Sequence, residues 1–253
     1  MNYKFIGLDE QPKITYKQEL EGIQFGNFDS RNFFLWLTER NAPTPEENEI
    51  VETVPYMQGQ YDFSIMEGNR FFKNRELTYK FMHVDKNYRN RSGLESHIKR
   101  LLMPRGISDL YDTHDSPYHW RGKCSSVEVE DDSELGVLNV TITFNCYPFA
   151  ISNHEEGSDY WDDVDFNNFV WQPLQFDFNG TKEFEIENLS GCDVEGKVEL
   201  VGSGQVELSG PSISTTLKND FKANSLIFKS GVNKLTGKGN GTLKFVFTRE
   251  EML

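Results

Sequence analysis

Cysteine is scarce, at three residues in 253, too few for the dense disulfide framework of a small secreted domain. Long apolar runs are missing too. Segments such as Phe33-Phe34-Leu35-Trp36-Leu37 fall far short of the roughly 20 residues that cross a bilayer as a helix, so no membrane span is expected. The start, through Asp9, holds only a four-residue apolar patch before an acid, which is short for a signal peptide, and the expected compartment is a cytoplasm, at least at first. Positive charge is sparse. Residues 124–181 contain no Lys or Arg and twelve acids, and the whole chain carries 26 basic against 40 acidic residues, a net charge of −14. Such a chain repels nucleic acid unless its cations are gathered in one place.

What is present describes a folded chain. Apolar residues make up 37% and aromatics 13%, more Phe, Tyr and Trp than a disordered chain carries. A length of 253 residues favours two domains over one. The polar, acidic stretch Ser152-Asn153-His154-Glu155-Glu156-Gly157-Ser158-Asp159 cannot bury its side chains and reads as an exposed connection. The expected division is therefore a first domain at 1–150, an acidic linker at 151–160 and a second domain at 161–253. The first part mixes basic, aromatic and helix-forming segments. The second is rich in Gly and β-branched residues with turn signals every eight to ten residues, the spacing of a β-sandwich or barrel. The expected fold class is mainly β: an α+β first domain with one clear helix, then an all-β sandwich.

Ser92-Gly93-Leu94-Glu95 has the form of a capping box, in which hydroxyl and carboxylate satisfy each other's backbone amides. Leu94, Ile98, Leu101 and Leu102 then form one apolar stripe, Lys99 and Arg100 sit where the helix dipole favours cations, and Pro104 and Gly106 end the helix. Residues 137–146 alternate, with Leu138, Val140, Ile142, Phe144 and Cys146 on one face. Pairing them with residues 124–130 about the turn Asp131-Asp132-Ser133-Glu134 sets Leu138 opposite Val127, Val140 opposite Ser125, Cys124 opposite Thr141 and Cys146 opposite His119. Further strands are expected at 183–189, 194–201, 205–208, 225–228 and 242–247. Gly202-Ser203-Gly204 and Gly237-Lys238-Gly239-Asn240-Gly241 read as turns around them.

Catalytic constellations do not assemble. The glycine cluster precedes a strand and not a helix, which argues against a phosphate loop. His114, His119 and Cys124 offer nitrogen and sulfur ligands, but their odd spacing on an extended strand turns His119 and Cys124 to opposite faces. Asp159, Asp162, Asp163 and Asp165 lack the frame and closing Glu of a calcium loop. No Gly-x-Ser-x-Gly elbow is present. The expectation is a protein without catalytic, metal or cofactor sites, and not an enzyme.

Residues 70–105 hold ten Lys or Arg against three acids, a phosphate-binding face, a subunit contact or simply a solvated face. Upstream, Asn41-Ala42-Pro43-Thr44-Pro45-Glu46-Glu47-Asn48-Glu49-Ile50 is too Pro-rich and acidic for a core element and reads as an exposed loop or arm. Its acids Glu46, Glu47, Glu49 and Glu52 are candidates to meet Arg70, Arg75, Arg89 and Arg91 of a neighbouring subunit.

Five segments in this order and spacing, Tyr61-Asp62-Phe63-Ser64, Arg75-Glu76-Leu77-Thr78-Tyr79-Lys80-Phe81, the helix near 92–103, Ser116-Pro117-Tyr118-His119-Trp120-Arg121-Gly122 and Thr143-Phe144-Asn145-Cys146-Tyr147-Pro148-Phe149, resemble the distal tail protein, Dit, of siphophages of Gram-positive hosts. The resemblance spans essentially the whole chain and is closest to the short form, as in a Bacillus phage with a slender tip. It implies a homo-hexameric ring at the virion tail tip, synthesised in the host cytoplasm. The tail-tube protein would lie above, a tail-tip protein below, and DNA would pass through a channel without specific binding and without contact to a membrane. It further implies a tail-tube-like first domain forming the ring and a galectin-like second domain. The alternative is a carbohydrate-binding adhesin of the tail tip. Galectin-type binding needs a His-Asn-Arg cluster and a Trp platform, and residues 183–247 contain no His, Arg or Trp, so a structural hub is the expected role. Trp161 and Trp171 lie before the second domain's strands and are expected to close its core.

Overall fold

The computed structural model describes residues 21–66, 68–157, 172–211, 213–218 and 223–253. The chain is mainly β, with one α-helix among the described residues, and divides into two compact units, Met1–Pro148 and Phe149–Leu253.

In the first unit the strands are β1 (Ile23–Phe25), β2 (Phe28–Asp29), β3 (Trp36–Asn41), β4 (Val51–Glu52), β5 (Tyr61–Asp62), β6 (Ile65–Met66), β7 (Asn69–Arg70), β8 (Arg75–Val84), β9 (Ser108–Asp112), β10 (Tyr118–Asp132) and β11 (Val137–Cys146), with α1 at Tyr88–Leu102. An antiparallel sheet runs β2-β1-β9-β10-β11-β8-β3. Alternation decides its faces: Leu77, Tyr79 and Phe81 of β8 and Leu138, Val140, Ile142, Phe144 and Cys146 of β11 all point into one core. Helix α1 packs on β10 and β2 and adds Ile98 and Leu102 to that core.

Two local readings shift here. The β10–β11 turn closes through Ser133–Gly136, where Gly136 N donates to Asp132 O at 2.8 Å. Leu138 therefore faces Asp131 and not Val127, four residues from the expected partner. Because four is even, the inward face of β11 is unchanged. A bulge at Ser125 then sets Cys124 opposite Phe144 and Cys146 opposite Gly122. The helix begins four residues before the Ser92 box. Asn87 is the cap, with its side chain accepting from Arg89 N at 3.0 Å, while Asp85 accepts from Asn87 N at 2.7 Å. These Asx contacts outcompete the box, and Glu95 instead pairs with Lys99 at 2.6 Å.

The second unit comprises β12 (Ala150–Glu155), β13 (Gln175–Asn188), β14 (Val194–Gly210), β15 (Ile213–Lys218), β16 (Ala223–Phe228), β17 (Gly231–Val246) and β18 (Thr248–Glu251). Part of the stretch expected as an acidic linker at 151–160 is thus a strand: Ala150 pairs with Glu251 and Ile151 with Glu250. Polar side chains did not prevent this, because a ladder consumes backbone groups and leaves one face to water. Residues 158–160, Trp161, Trp171 and the aspartates at 159, 162, 163 and 165 lie outside the described residues.

The main sheet of this unit runs β13-β17-β14-β15, and β16 pairs with the first half of β14. Its three long strands each bury both ends and expose the middle. Phe176, Phe178, Phe184 and Ile186 of β13, Val198, Leu200, Val206 and Leu208 of β14, and Leu235, Leu243 and Phe245 of β17 share one core. The expected strands at 194–201 and 205–208 are one strand, and the glycines expected in turns lie within strands, Gly202 and Gly204 in β14 and Gly237, Gly239 and Gly241 in β17. Gly180 pairs with Gly239 and Val206 with the same Gly239, so the glycines align across the sheet. Gly180, Gly202, Gly204, Gly239 and Gly241 all have positive φ. A Cβ on Gly239 would lie 2.1 Å from Gln205 O, and one on Gly204 2.2 Å from Asn240 O. A row of residues without Cβ lets the whole sheet fold over its own core.

Candidate functional site

Between β3 and β8 the chain leaves the first sheet as an arm. Its two sides are stitched by backbone bonds: Lys73 N to Glu46 O at 2.8 Å, Asn48 N to Phe71 O at 2.8 Å and Phe63 N to Ile50 O at 2.8 Å. Beyond these lies the β4–β5 ladder, Val51 with Asp62 and Glu52 with Tyr61, and the short hairpin β6–β7 branches off at 65–70. The expected acidic loop is therefore a structured projection, held by hydrogen bonds with little core of its own.

Its surface is unusually apolar. Ile50, Val51, Val54, Tyr56, Tyr61, Phe63, Ile65, Met66 and Phe71 are all exposed. Cross-strand partners share a face, so Ile50 and Glu52 lie on the same side as Tyr61 and Phe63, and the last two rings are 6.1 Å apart. At the tip Met57 N donates to Val54 O at 3.1 Å, which places Pro55 and Tyr56 at the centre of a turn. Tyr56 has φ 67°, where glycine is preferred, and its side chain is fully exposed. A non-glycine residue held in this region costs about 1–2 kcal/mol. That cost is unexplained by any contact of Tyr56 described within the chain.

The eight charged residues singled out from the sequence fall into three groups. Glu47 holds Arg70 through two hydrogen bonds, Arg70 Nε to Oε1 at 2.9 Å and Nη2 to Oε2, and Glu46 reaches Lys73 Nζ at 3.4 Å. These pairs run between the arm's own two sides. Arg75 and Arg91 are buried within the chain. Arg75 shares the inward face of β8, donates to Ala42 O at 3.0 Å and lies over the Trp120 ring at 4.4 Å; desolvation lowers its pKa. Arg91 occupies the first turns of α1, where the dipole disfavours a cation. Asp131 compensates with two oxygens, one accepting from Nη2 at 3.1 Å, and Asp85 O accepts from Nη1 at 2.6 Å. The third group, Glu49, Glu52 and Arg89, is exposed.

Sequence reasoning missed a buried polar cluster beneath the arm's root. Asp112 Oδ2 accepts from Tyr79 Oη at 2.8 Å and from Arg40 Nε at 2.5 Å, while Arg40 Nη2 also meets Asp115. Burial and the Asp112 charge push the Tyr79 phenol well above its ordinary range, so it acts as a hydrogen-bond donor and not as an acid. Asp112 is engaged through both oxygens, Oδ1 accepting from His114 N at 2.8 Å. Cys124 and Cys146 are buried, with thiols pushed by burial to about 11 and about 12, and Cys192 Sγ donates to Glu250 Oε2 at 3.4 Å with its pKa raised by burial and that neighbouring carboxylate. Among the described residues no group of three His, Cys, Asp or Glu is placed to hold a metal ion, and no helix is long and apolar enough to cross a membrane.

No family model and no curated protein matches the chain. Solved structures do. The crystal structure of the Dit protein of phage SPP1, a paradigm of the hub adsorption apparatus in phages infecting Gram-positive hosts, aligns with TM-score 0.62 at 12% identity, covering 91% of this chain and 98% of that one. A chain of the phage P2 baseplate in its activated, calcium-bound conformation aligns with TM-score 0.42 at 9% identity, covering 90% and 97%.

Proposed function

We propose that the chain is the structural hub of a siphophage tail tip, a non-enzymatic distal tail protein of the short form. One observation carries the reading: the fold is shared with the SPP1 hub protein across 91% of this chain and 98% of that chain, so both units have counterparts and no large insertion separates them. In this role six copies close into a ring at the end of the tail, joined above to the tube and below to the adsorption apparatus, with a central passage for DNA. The first unit forms the ring. The second is a galectin-like sandwich, whose strands β13 to β17 offer neither the Trp platform nor the His-Asn-Arg group that would favour the adhesin alternative. The arm supports self-association, since a projection with so much exposed apolar surface needs a partner to cover it.

Light scattering on a sizing column tests the reading. Six copies of the 29.3 kDa chain give about 176 kDa for a closed cyclic assembly. A monomer at every concentration and salt strength overturns it.

A further inference from the structure

We propose that the outer edge of β13, over Glu183, Glu185 and Glu187, takes up an extended segment of a partner protein in which basic and apolar residues alternate. This seat lies within the second unit and does not depend on a ring. β13 ends the order β13-β17-β14-β15, and among the described residues no strand pairs with its other side. One side chain does. Gln172 Nε2 donates to Glu187 O at 2.6 Å, and Gln172 Oε1 accepts from Glu187 N at 2.8 Å. That is the pair of bonds a residue of a neighbouring antiparallel strand makes, so the carboxamide stands in a strand's place. It also fixes the direction of the edge. Glu187 lies opposite Val232 of β17 yet turns both its backbone groups outward to Gln172, and the two-residue repeat of a strand turns those of Glu185 and Glu183 the same way. An edge with open amides and carbonyls is a template for another strand.

The side chains define the strand that fits. Glu183, Glu185 and Glu187 occupy successive alternate positions and so share the outer face of the sheet, with Lys234 reaching Glu185 at 3.4 Å. Phe184 and Ile186 point the other way, into the core. Cross-strand neighbours share a face, so a strand added here sets every second side chain beside the carboxylates, where Lys or Arg is attracted and Asp or Glu repelled. The side chains between them fall beside Phe184, at 8% the most exposed ring of that core, where an apolar residue extends the buried surface. A second copy of β13 is a poor occupant, because it brings the same acids to the same face. Main-chain bonds supply the affinity of such a strand addition, and the alternation of side chains supplies its selectivity.

The test uses the full chain and the end-blocked peptide Lys-Val-Lys-Val-Lys, with Glu-Val-Glu-Val-Glu and Lys-Lys-Lys-Val-Val as controls. In titration calorimetry the alternating basic peptide should bind, and both controls should bind at least about tenfold more weakly. Hydrogen exchange at the amides of Glu183 and Glu185 should slow when it is present. Glu183→Lys combined with Glu187→Lys should weaken the peptide about tenfold, with circular dichroism unchanged. Gln172→Ala, which empties the place beside Glu187, should tighten it, an effect that attraction between charges alone does not give. Binding that Gln172→Ala leaves unaltered and that slows no β13 amide overturns the strand seat, and so does the absence of binding. Either result leaves the hub reading standing, since that reading is judged by the size of the assembly on a sizing column.

Discussion

Tyr79 stands on the inward face of β8, and its hydroxyl is one of the donors that hold the buried Asp112 carboxylate. Tyr79→Phe removes a bond to a charged group and leaves Arg40 and the His114 amide in place, so a loss of about 1.5–3 kcal/mol is expected in urea unfolding. Acid titration probes a second set of single residues. Asp29, Asp85 and Asp131 are held below the ordinary 3.8 chiefly by the Arg31 side chain, the Asn87 amide and the Arg91 guanidinium respectively. A carboxyl whose folded pKa is depressed stabilises above its unfolded pKa, and that contribution is lost as pH falls through the folded value. The first unit should therefore keep its stability down to about pH 4 and lose it below. Asp131→Asn should reduce stability at pH 7 and flatten the acid limb. Equal limbs in parent and variant, measured by urea melts from pH 7 to pH 2.5, would remove Arg91–Asp131 from the account.

At the scale of elements, the glycine row makes a sharp expectation. Gly239 has φ 140° and no room beside Gln205 O, so Gly239→Ala should destabilise the second unit by more than about 1 kcal/mol. An unchanged melt would show that the bend is not set there. The arm tip should behave differently. Tyr56→Gly relieves the positive-φ strain while adding unfolded-state freedom, and the two nearly cancel, to within about 1 kcal/mol. Stability should hold while assembly measured by light scattering weakens. These two elements also mark where the sequence was and was not legible. The inward face of β11 could be read from residue alternation because a buried strand repeats every two residues. The bend could not: glycines interrupt that pattern, and only neighbouring strands turning in step distinguish a corner from a strand end. The arm's exposure could be read from the prolines and acids of 41–50, but its backbone pairing could not, since it exposes the apolar residues that a periodicity argument assigns to a core. The start of α1 was hidden by a competing cap, where Asp85 and Asn87 act before Ser92. Of the eight charged candidates, Arg75 and Arg91 could not be placed without the fold that buries them.

For the molecule as a whole, chelator and reductant should leave the melting temperature unchanged, because the three cysteines are unpaired. A fall of several degrees with either reagent would contradict this. The strand order of the second unit also sets how fast it can be made. Gln175 finds its partner only in Lys244, 69 residues later, and even the near end of the β13–β17 ladder joins Asn188 to Gly231, 43 residues on. Pairings this distant in sequence close slowly. At about 5–20 residues per second, a ribosome leaves β13 waiting roughly 3–14 s for the far end of β17 to appear. Until their partners on β17 emerge, Phe176, Phe178, Phe184 and Ile186 have no sheet to cover them, which makes nascent β13 a natural substrate for chaperones.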